Sequence, residues 1–329
     1  MKLRLRAFSC ACLVAAIGCS AGGESNYGGG GGSAGSDAST QEETSPPIDS
    51  FVPFETAPPS EGGGCTDVVD VVFALDVSSS MDFVLIKLGA EIDKVVTAAT
   101  ALAPEPHFGL ITFADNWAID TTGPLEGGKV HTEGSTLKAA FQYNKDTYTA
   151  NNRNPGDGPT GPDTQNPICE ENSLDSLHAA ATEFPWRATA TRVVIVVTDD
   201  TFLEKPDNYG DRDGDGKWDK TDFPKEGNYP AEFTLAETVT ALKDKKVRVF
   251  SFTRLKPPAM PKLYCSTGRR LPDAAMPWGW SQPYNGAPPI PDATAGKNFD
   301  IELVKSGKLS LSDTINEVVL ESYCNPPIY

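Results

Sequence analysis

Histidine is scarce in this chain. There are three in 329 residues, and His107, His131 and His178 are scattered rather than clustered. No HExxH segment occurs and no GxSxG elbow joins a strand-like run to a helix-like one, so the sequence announces neither a zinc hydrolase nor a serine hydrolase. A two-metal phosphatase centre needs more carboxylate or histidine ligands than any one cluster here supplies. Positive charge is also in short supply. Against 28 Lys and Arg stand 45 Asp and Glu, a net charge of −17 that repels phosphate backbones and excludes nucleic acid as a partner. Nor does the apolar run FSCACLVAAIG (8–18) have the length to span a bilayer as a helix of the mature protein. No internal repeat is present. What is left is an acidic chain suited to meeting cations or a basic partner, with no sign of an enzyme.

The N-terminus reads as an address rather than as fold. Lys2, Arg4 and Arg6 precede the apolar run, which leads into Ala16-Ile17-Gly18-Cys19 with small residues around the cut. This resembles a bacterial lipoprotein signal over residues 1–18. The resemblance implies a lipid on Cys19, attachment to the membrane through that anchor and, with Ser20 following, the outer membrane of the cell envelope. Ordinary signal cleavage and secretion is the alternative. Residues 19–64 are rich in Gly, Ser, Pro, Thr and Glu and too poor in large apolar groups to offset ordering entropy. They read as a disordered tether holding the folded part on the order of 40 Å from the membrane.

Seven cysteines remain to be placed. Cys10 and Cys12 belong to the signal and Cys19 to the lipid, leaving Cys65, Cys169, Cys265 and Cys324. An even set in an exported chain suggests two disulfides, with three possible pairings. Cys65 and Cys324 bracket the folded region, and domain ends tend to lie close together, which favours Cys65–Cys324 and leaves Cys169 to Cys265.

From residue 65 to 329 strand-like and helix-like runs alternate. DVVDVVFAL (67–75), HFGLITF (107–113), TRVVIVV (191–197) and VRVFSF (247–252) are near-continuous apolar runs, the mark of strands buried on both faces of a parallel sheet. WAIDTT (117–122) reads as an edge strand and residues 298–301 as a short one. Leu85, Leu88, Ile92, Val95, Ala99 and Leu102 form one stripe of an amphipathic helix, with Glu91, Asp93 and Lys94 turned away. Further helices are expected near 135–141, 174–184, 233–245 and 310–323. The fold class is α/β: a doubly wound, mostly parallel central sheet flanked by helices. An acidic segment (about 201–230) and a Pro-rich excursion (about 255–292) interrupt it. In the excursion, Trp278, Trp280 and Tyr284 form either a ligand platform or a loop packing its rings over the sheet edge.

Ligands of open α/β sheets sit beyond the carboxyl ends of the strands. There the first strand runs into DVSSS, placing Asp76, Ser78 and Ser80 at the mouth of the sheet. The strand at 191–197 ends on Thr198, Asp199 and Asp200 at the same edge. Alone, Ser79 or Ser80 would read as an ordinary helix cap. Together, two hydroxyls and several carboxylates are hard oxygen donors that suit Mg²⁺ or Mn²⁺ rather than zinc. DVSSS and TDD resemble the DxSxS and Thr-Asp motifs of the von Willebrand factor A domain, over roughly residues 66–323. That resemblance implies a metal-ion-dependent adhesion site in which Ser78 and Ser80 ligate directly and Asp76 and Asp199 act mostly through water. EENSLDSLHAA (170–180) is similar to the integrin-β-like and bacterial variants, where a Glu stands four residues before an Asp. Glu171 is then the remaining ligand, with Asp175 as its marker and Thr136 in EGSTLKAAF as the rival.

A second acidic cluster lies in DRDGDGKWDKTD (211–222). Asp211, Asp213, Asp215, Lys217 (through its carbonyl), Asp219 and Asp222 fall at loop positions 1, 3, 5, 7, 9 and 12, with Gly216 at the turn. This is close to a calcium-binding loop of EF-hand type, so Ca²⁺ is the expected ion and structural order its expected effect. Position 12 is Asp rather than Glu, and Phe223-Pro224 argues against an exit helix. Taken together, the chain reads as a tethered binding module. Its divalent cation would take an accessible carboxylate from a protein or peptide partner. The alternatives are an envelope protein whose metals only stabilise the fold and, further off, a metal-dependent hydrolase.

Overall fold

The computed structural model describes residues 65, 68–158, 160–161, 164–165, 170–207, 230–256 and 276–325. The signal segment, the tether, Cys19, the loop from Asp211 to Asp222, and Cys169 with Cys265 all lie outside the described residues.

In chain order the elements are β1 (Val69–Asp76), α1 (Asp82–Leu102), β2 (His107–Phe113), β3 (Trp117–Ile119), α2 (Gly134–Asn144), β4 (Glu170–Glu171), α3 (Ser173–Thr182), β5 (Thr191–Val197), β6 (Thr201–Phe202), α4 (Leu235–Asp244), β7 (Val247–Thr253), α5 (Ile290–Ala293), β8 (Asn298–Asp300), α6 (Ile301–Lys305) and α7 (Leu311–Cys324). One six-stranded sheet runs in the order β3-β2-β1-β5-β7-β8. Only β3 is antiparallel to its neighbour; the other pairs are parallel. The short parallel pair β4-β6 stands apart from this sheet. Among the described residues, no helix is long and apolar enough to cross a membrane.

Alternation along the strands divides the interior into two cores. Val71, Phe73 and Leu75 of β1, with Val193, Ile195 and Val197 of β5, pack under α1, α2, α6 and α7. Val72, Ala74, Val194 and Val196 face the other way, under α3 and α4. Strands covered on both sides must be apolar at nearly every position, which is why these runs show no polar alternation. Before its closing Asp76, the exception in β1 is the fully buried Asp70. Arg187 answers it, donating from Nε to Asp70 Oδ1 at 2.7 Å and from its backbone N–H to Oδ2 at 2.9 Å. On α1 the expected stripe is buried from Leu85 to Ala99. Glu91, expected to turn away, accepts a 2.6 Å hydrogen bond from the Ser312 hydroxyl of α7.

The described end of the Pro-rich excursion packs inward. Trp280 is 0% exposed and sits edge-on to Phe202 of β6, which Tyr284 also meets edge-on. Gly279 takes a φ of +75° there, and a Cβ at that position would press on Phe202. Of the two readings of these aromatics, the structure shows the packed loop; Trp278 is exposed and Tyr284 half-buried. The sequence patterning does not reveal the four-residue α5 or the two-residue β4 and β6, all too short to carry a period.

Cys65 and Cys324 are bonded across 259 residues, closing the folded region on itself as expected. A cross-link over so long a loop stabilises chiefly by restricting the unfolded chain. The Cys65→Ser/Cys324→Ser double variant should therefore lose about 2–5 kcal/mol of unfolding free energy in urea titrations. An unchanged midpoint would mean that the bond is dispensable.

Candidate metal centre

The loop after β1 is held open by backbone contacts. Val77 N–H donates to the Phe113 carbonyl at 2.8 Å. The Val77 carbonyl accepts from Thr149 Oγ1 at 2.9 Å and from Gln165 Nε2 at 3.0 Å. The chain then turns through a single 3-10 turn (Ser79–Met81) into α1, and no serine side chain caps either helix start. The hydroxyls turn instead toward the acids. Ser78 Oγ and Ser80 Oγ lie 3.1 Å apart, and Ser80 Oγ donates to Asp199 Oδ1 at 2.7 Å. Asp76 is locked at the strand end: Oδ1 accepts from Ser78 N–H at 2.7 Å and Oδ2 from Thr198 Oγ1 at 2.8 Å.

Glu171 reaches the same edge by a separate route. β4 pairs with β6, matching Glu171 with Phe202, and Leu203 N–H donates to the Glu171 carbonyl at 3.0 Å. Asn172 N–H donates to the Ala114 carbonyl at 2.7 Å, pinning the segment against the end of β2. The strand carrying Glu171 is thus pressed between the ends of β2 and β5. One oxygen each from Asp76, Glu171 and Asp200 then comes to lie within 4.8 Å of the others, and all three residues are buried.

Burial and mutual repulsion shape the electrostatics. Desolvation, then the charge on Asp199, pushes the Asp76 carboxyl up to about 7, against hydrogen bonds from Ser78 and Thr198 that lower it. Glu171 is raised well above the usual carboxylate range by burial and then by Asp76, Asp115, Asp200 and Asp199. Its Oε2 is buried with no hydrogen-bond partner. A desolvated acceptor left in this way is costly unless a proton or a cation answers it. Ligands of an octahedral Mg²⁺ stand about 3.0 Å apart when adjacent and about 4.2 Å when opposite, for bonds of about 2.1 Å, and the three oxygens, all within 4.8 Å of one another, lie near that range. No Cys or His belongs to the group, which leaves a hard divalent cation as the fitting ion.

Most of the proposed site residues gather here, but with different partners. Asp76, Ser78 and Ser80 stand at the sheet mouth beside Glu171. Of the two adjacent aspartates, Asp200 joins the group of three. Asp199 faces sideways, between Ser80 and Arg254, whose Nη2 lies 2.8 Å from Asp199 Oδ2. Thr136 lies elsewhere, donating to the Glu133 carbonyl at 2.8 Å and pairing with His131 Nδ1 at 3.1 Å. Asp175 secures the chain returning from the acidic segment by accepting from the Glu232 and Phe233 N–H groups. Burial raises its carboxyl to about 6. Asp115, buried and bonded to Asn154, is an acid of this edge that the sequence patterning does not single out. Its signal is its position two residues past the end of β2, at the same edge as the other strand ends.

A carboxyl held above its unfolded value costs nothing at low pH, where both states are protonated, and costs most once the unfolded chain has ionised and the native group is forced to follow. For Asp76, raised from 3.8 to about 7, that cost grows across this window to about 4 kcal/mol in the metal-free protein. A bound cation removes it. The gap in melting temperature between Mg²⁺ and EDTA samples should therefore be small at pH 5 and widen through pH 8. A gap that is flat or narrows with pH would contradict this electrostatic picture.

No protein-family model matches the chain, and no curated protein matches it. Among solved structures, an aerotolerance-related membrane protein from Bacteroides fragilis NCTC 9343, crystallised with multiple mutations to serines, is similar in backbone arrangement. The TM-score is 0.40 at 16% identity, over 77% of this chain and 99% of that one. The conserved hypothetical protein BatB from Bacteroides thetaiotaomicron is similar to the same degree, with a TM-score of 0.40 at 15% identity over 77% of this chain and 98% of that one.

Proposed function

We propose that this chain is a metal-dependent binding module of the cell envelope, carried on a lipid anchor at Cys19. In this reading it binds a partner and does not turn over a substrate. Mg²⁺ or Mn²⁺ would be held by Ser78, Ser80 and Glu171, with Asp76, Asp199 and Asp200 around it. The ion supplies a positive contact on an acidic surface, to which an accessible carboxylate of a protein or peptide partner binds. The observation that carries this reading is the buried Glu171 Oε2, unmatched by any donor beside Asp76 and Asp200. The resemblance of DVSSS, TDD and the Glu171 segment to the adhesion-type von Willebrand factor A site supports the same assignment. Ser79 is exposed and Ser80 half-buried, so the serine side is the side from which a partner would approach. Ca²⁺ in the 211–222 loop would order the acidic segment.

One observation favours a second reading, in which the ion only stabilises the fold. Asp76 is 0%, Glu171 5% and Asp200 7% exposed, so the carboxylates themselves face away from solvent. The two readings separate in one experiment. The immobilised protein is challenged with envelope extract in Mg²⁺ or in EDTA, with circular dichroism recorded in parallel. The binding reading expects capture in Mg²⁺, loss of capture in EDTA, and a domain that stays folded throughout. Unfolding in EDTA would favour the stabilising ion, and capture that persists in EDTA would end the binding reading. By calorimetry, Glu171→Gln should weaken Mg²⁺ binding by about tenfold or more.

A further inference from the structure

Arg254 stands one residue past β7, at the edge where the acids gather, and its side chain is only 13% exposed. Its guanidinium has three partners. Nη2 lies 2.8 Å from Asp199 Oδ2, Nε lies 3.2 Å from Glu302 Oε1, and Nη1 lies 3.1 Å from Met276 Sδ. Asp199 is 3% exposed in its side chain, and its other oxygen accepts the Ser80 hydroxyl at 2.7 Å. Both oxygens of Asp199 are therefore engaged. Glu302, by contrast, is 51% exposed at the start of α6.

We infer that Arg254 is a resident counter-cation that sets the affinity of the acid cluster for a divalent ion by holding Asp199, with Glu302 governing how firmly it holds. This deepens the metal-binding reading above and rests on it. A guanidinium does not lose its charge at any ordinary pH, so Arg254 cannot step aside by deprotonation. Its charge repels an incoming divalent ion, and its bond keeps a carboxylate occupied that would otherwise turn to that ion. Glu302 pulls the guanidinium outward and neutralises part of its charge. Losing Glu302 leaves the Arg254 charge less neutralised, with Asp199 as its remaining carboxylate hydrogen-bond partner beside Met276 Sδ. Arg254 is thus a positioning residue acting through Asp199, and Glu302 acts through Arg254.

The two substitutions should move Mg²⁺ affinity in opposite directions. In calorimetric titrations of the full chain with MgCl₂, Arg254→Gln should tighten binding about tenfold, the size of effect that one neighbouring unit charge exerts on a buried ionisation. The same variant leaves Asp199 buried without its cation. Its melting temperature should fall in EDTA and recover in Mg²⁺, a rescue that loss of a merely structural clamp would not produce. Glu302→Gln, a surface change, should weaken Mg²⁺ binding several-fold. That weakening should vanish in the Arg254→Gln background, because Glu302 then has nothing to act through. Wild-type protein that takes up no Mg²⁺ would overturn both the metal reading and this inference. If wild type binds Mg²⁺ but Arg254→Gln binds it no more tightly, the inference alone is overturned. If Arg254→Gln does not fold, Glu302→Gln decides: weaker binding supports the inference, and unchanged or tighter binding overturns it. A Glu302 effect that persists without Arg254 would likewise overturn the coupling.

Discussion

Carboxylates brought together out of reach of water are the constraint around which this molecule is arranged. Asp76, Asp115, Asp199 and Asp200 all press on the charge of Glu171 at the carboxyl edge of the sheet, and Asp199 presses on that of Asp76. Like charges at that range in a desolvated setting disfavour joint ionisation, and the raised carboxyls of Asp76 and Glu171 express it. Such a cluster persists in a fold only if protons, a resident cation or a bound metal relieve it. The protein carries part of the answer in Arg254, and the chemistry of the remaining oxygen donors fits a hard divalent ion.

The scaffold meets this demand with stiffness. Three of the acids are fixed by backbone, hydroxyl or amide contacts at different strand ends: Asp76 through Ser78 and Thr198, Glu171 through the β4-β6 pair, Asp115 through Asn154. Behind them stand two cores filled by opposite faces of the same strands, so no strand can rotate to turn its acid outward without exposing apolar side chains on one face or the other. Around them the loops do quieter work. Thr149 and Gln165 hold the Val77 carbonyl, and this sets the path on which Ser78 and Ser80 can meet.

This arrangement separates the burial of the acids from access to the site. The carboxylates are closed in, while the serine turn borders solvent. A cation held there would be anchored from below by buried charge and approached from the serine side. Binding and stabilisation are therefore not exclusive properties of such a centre, since one set of ligands can serve both.

The sequence by itself determined the strand-helix alternation, the parallel core and the edge at which chemistry would gather, because these follow from local periodicity and from acids at strand ends. DVSSS and TDD were legible for the same reason, being contiguous, and Cys65–Cys324 followed from the closeness of domain ends. Tertiary structure alone decided which of two adjacent aspartates joins Asp76 and Glu171. Neighbouring residues in a tight turn point apart, and only the packing of β4 against β6 decides that Asp200 faces inward and Asp199 faces Ser80 and Arg254. Asp115 and Arg254 were invisible for a related reason: each sits alone in sequence among unremarkable neighbours and acquires meaning only where distant strand ends converge. A motif records residues that act together along the chain, whereas an electrostatic cluster records residues that the fold has brought within a few ångströms, and no local pattern encodes that distance.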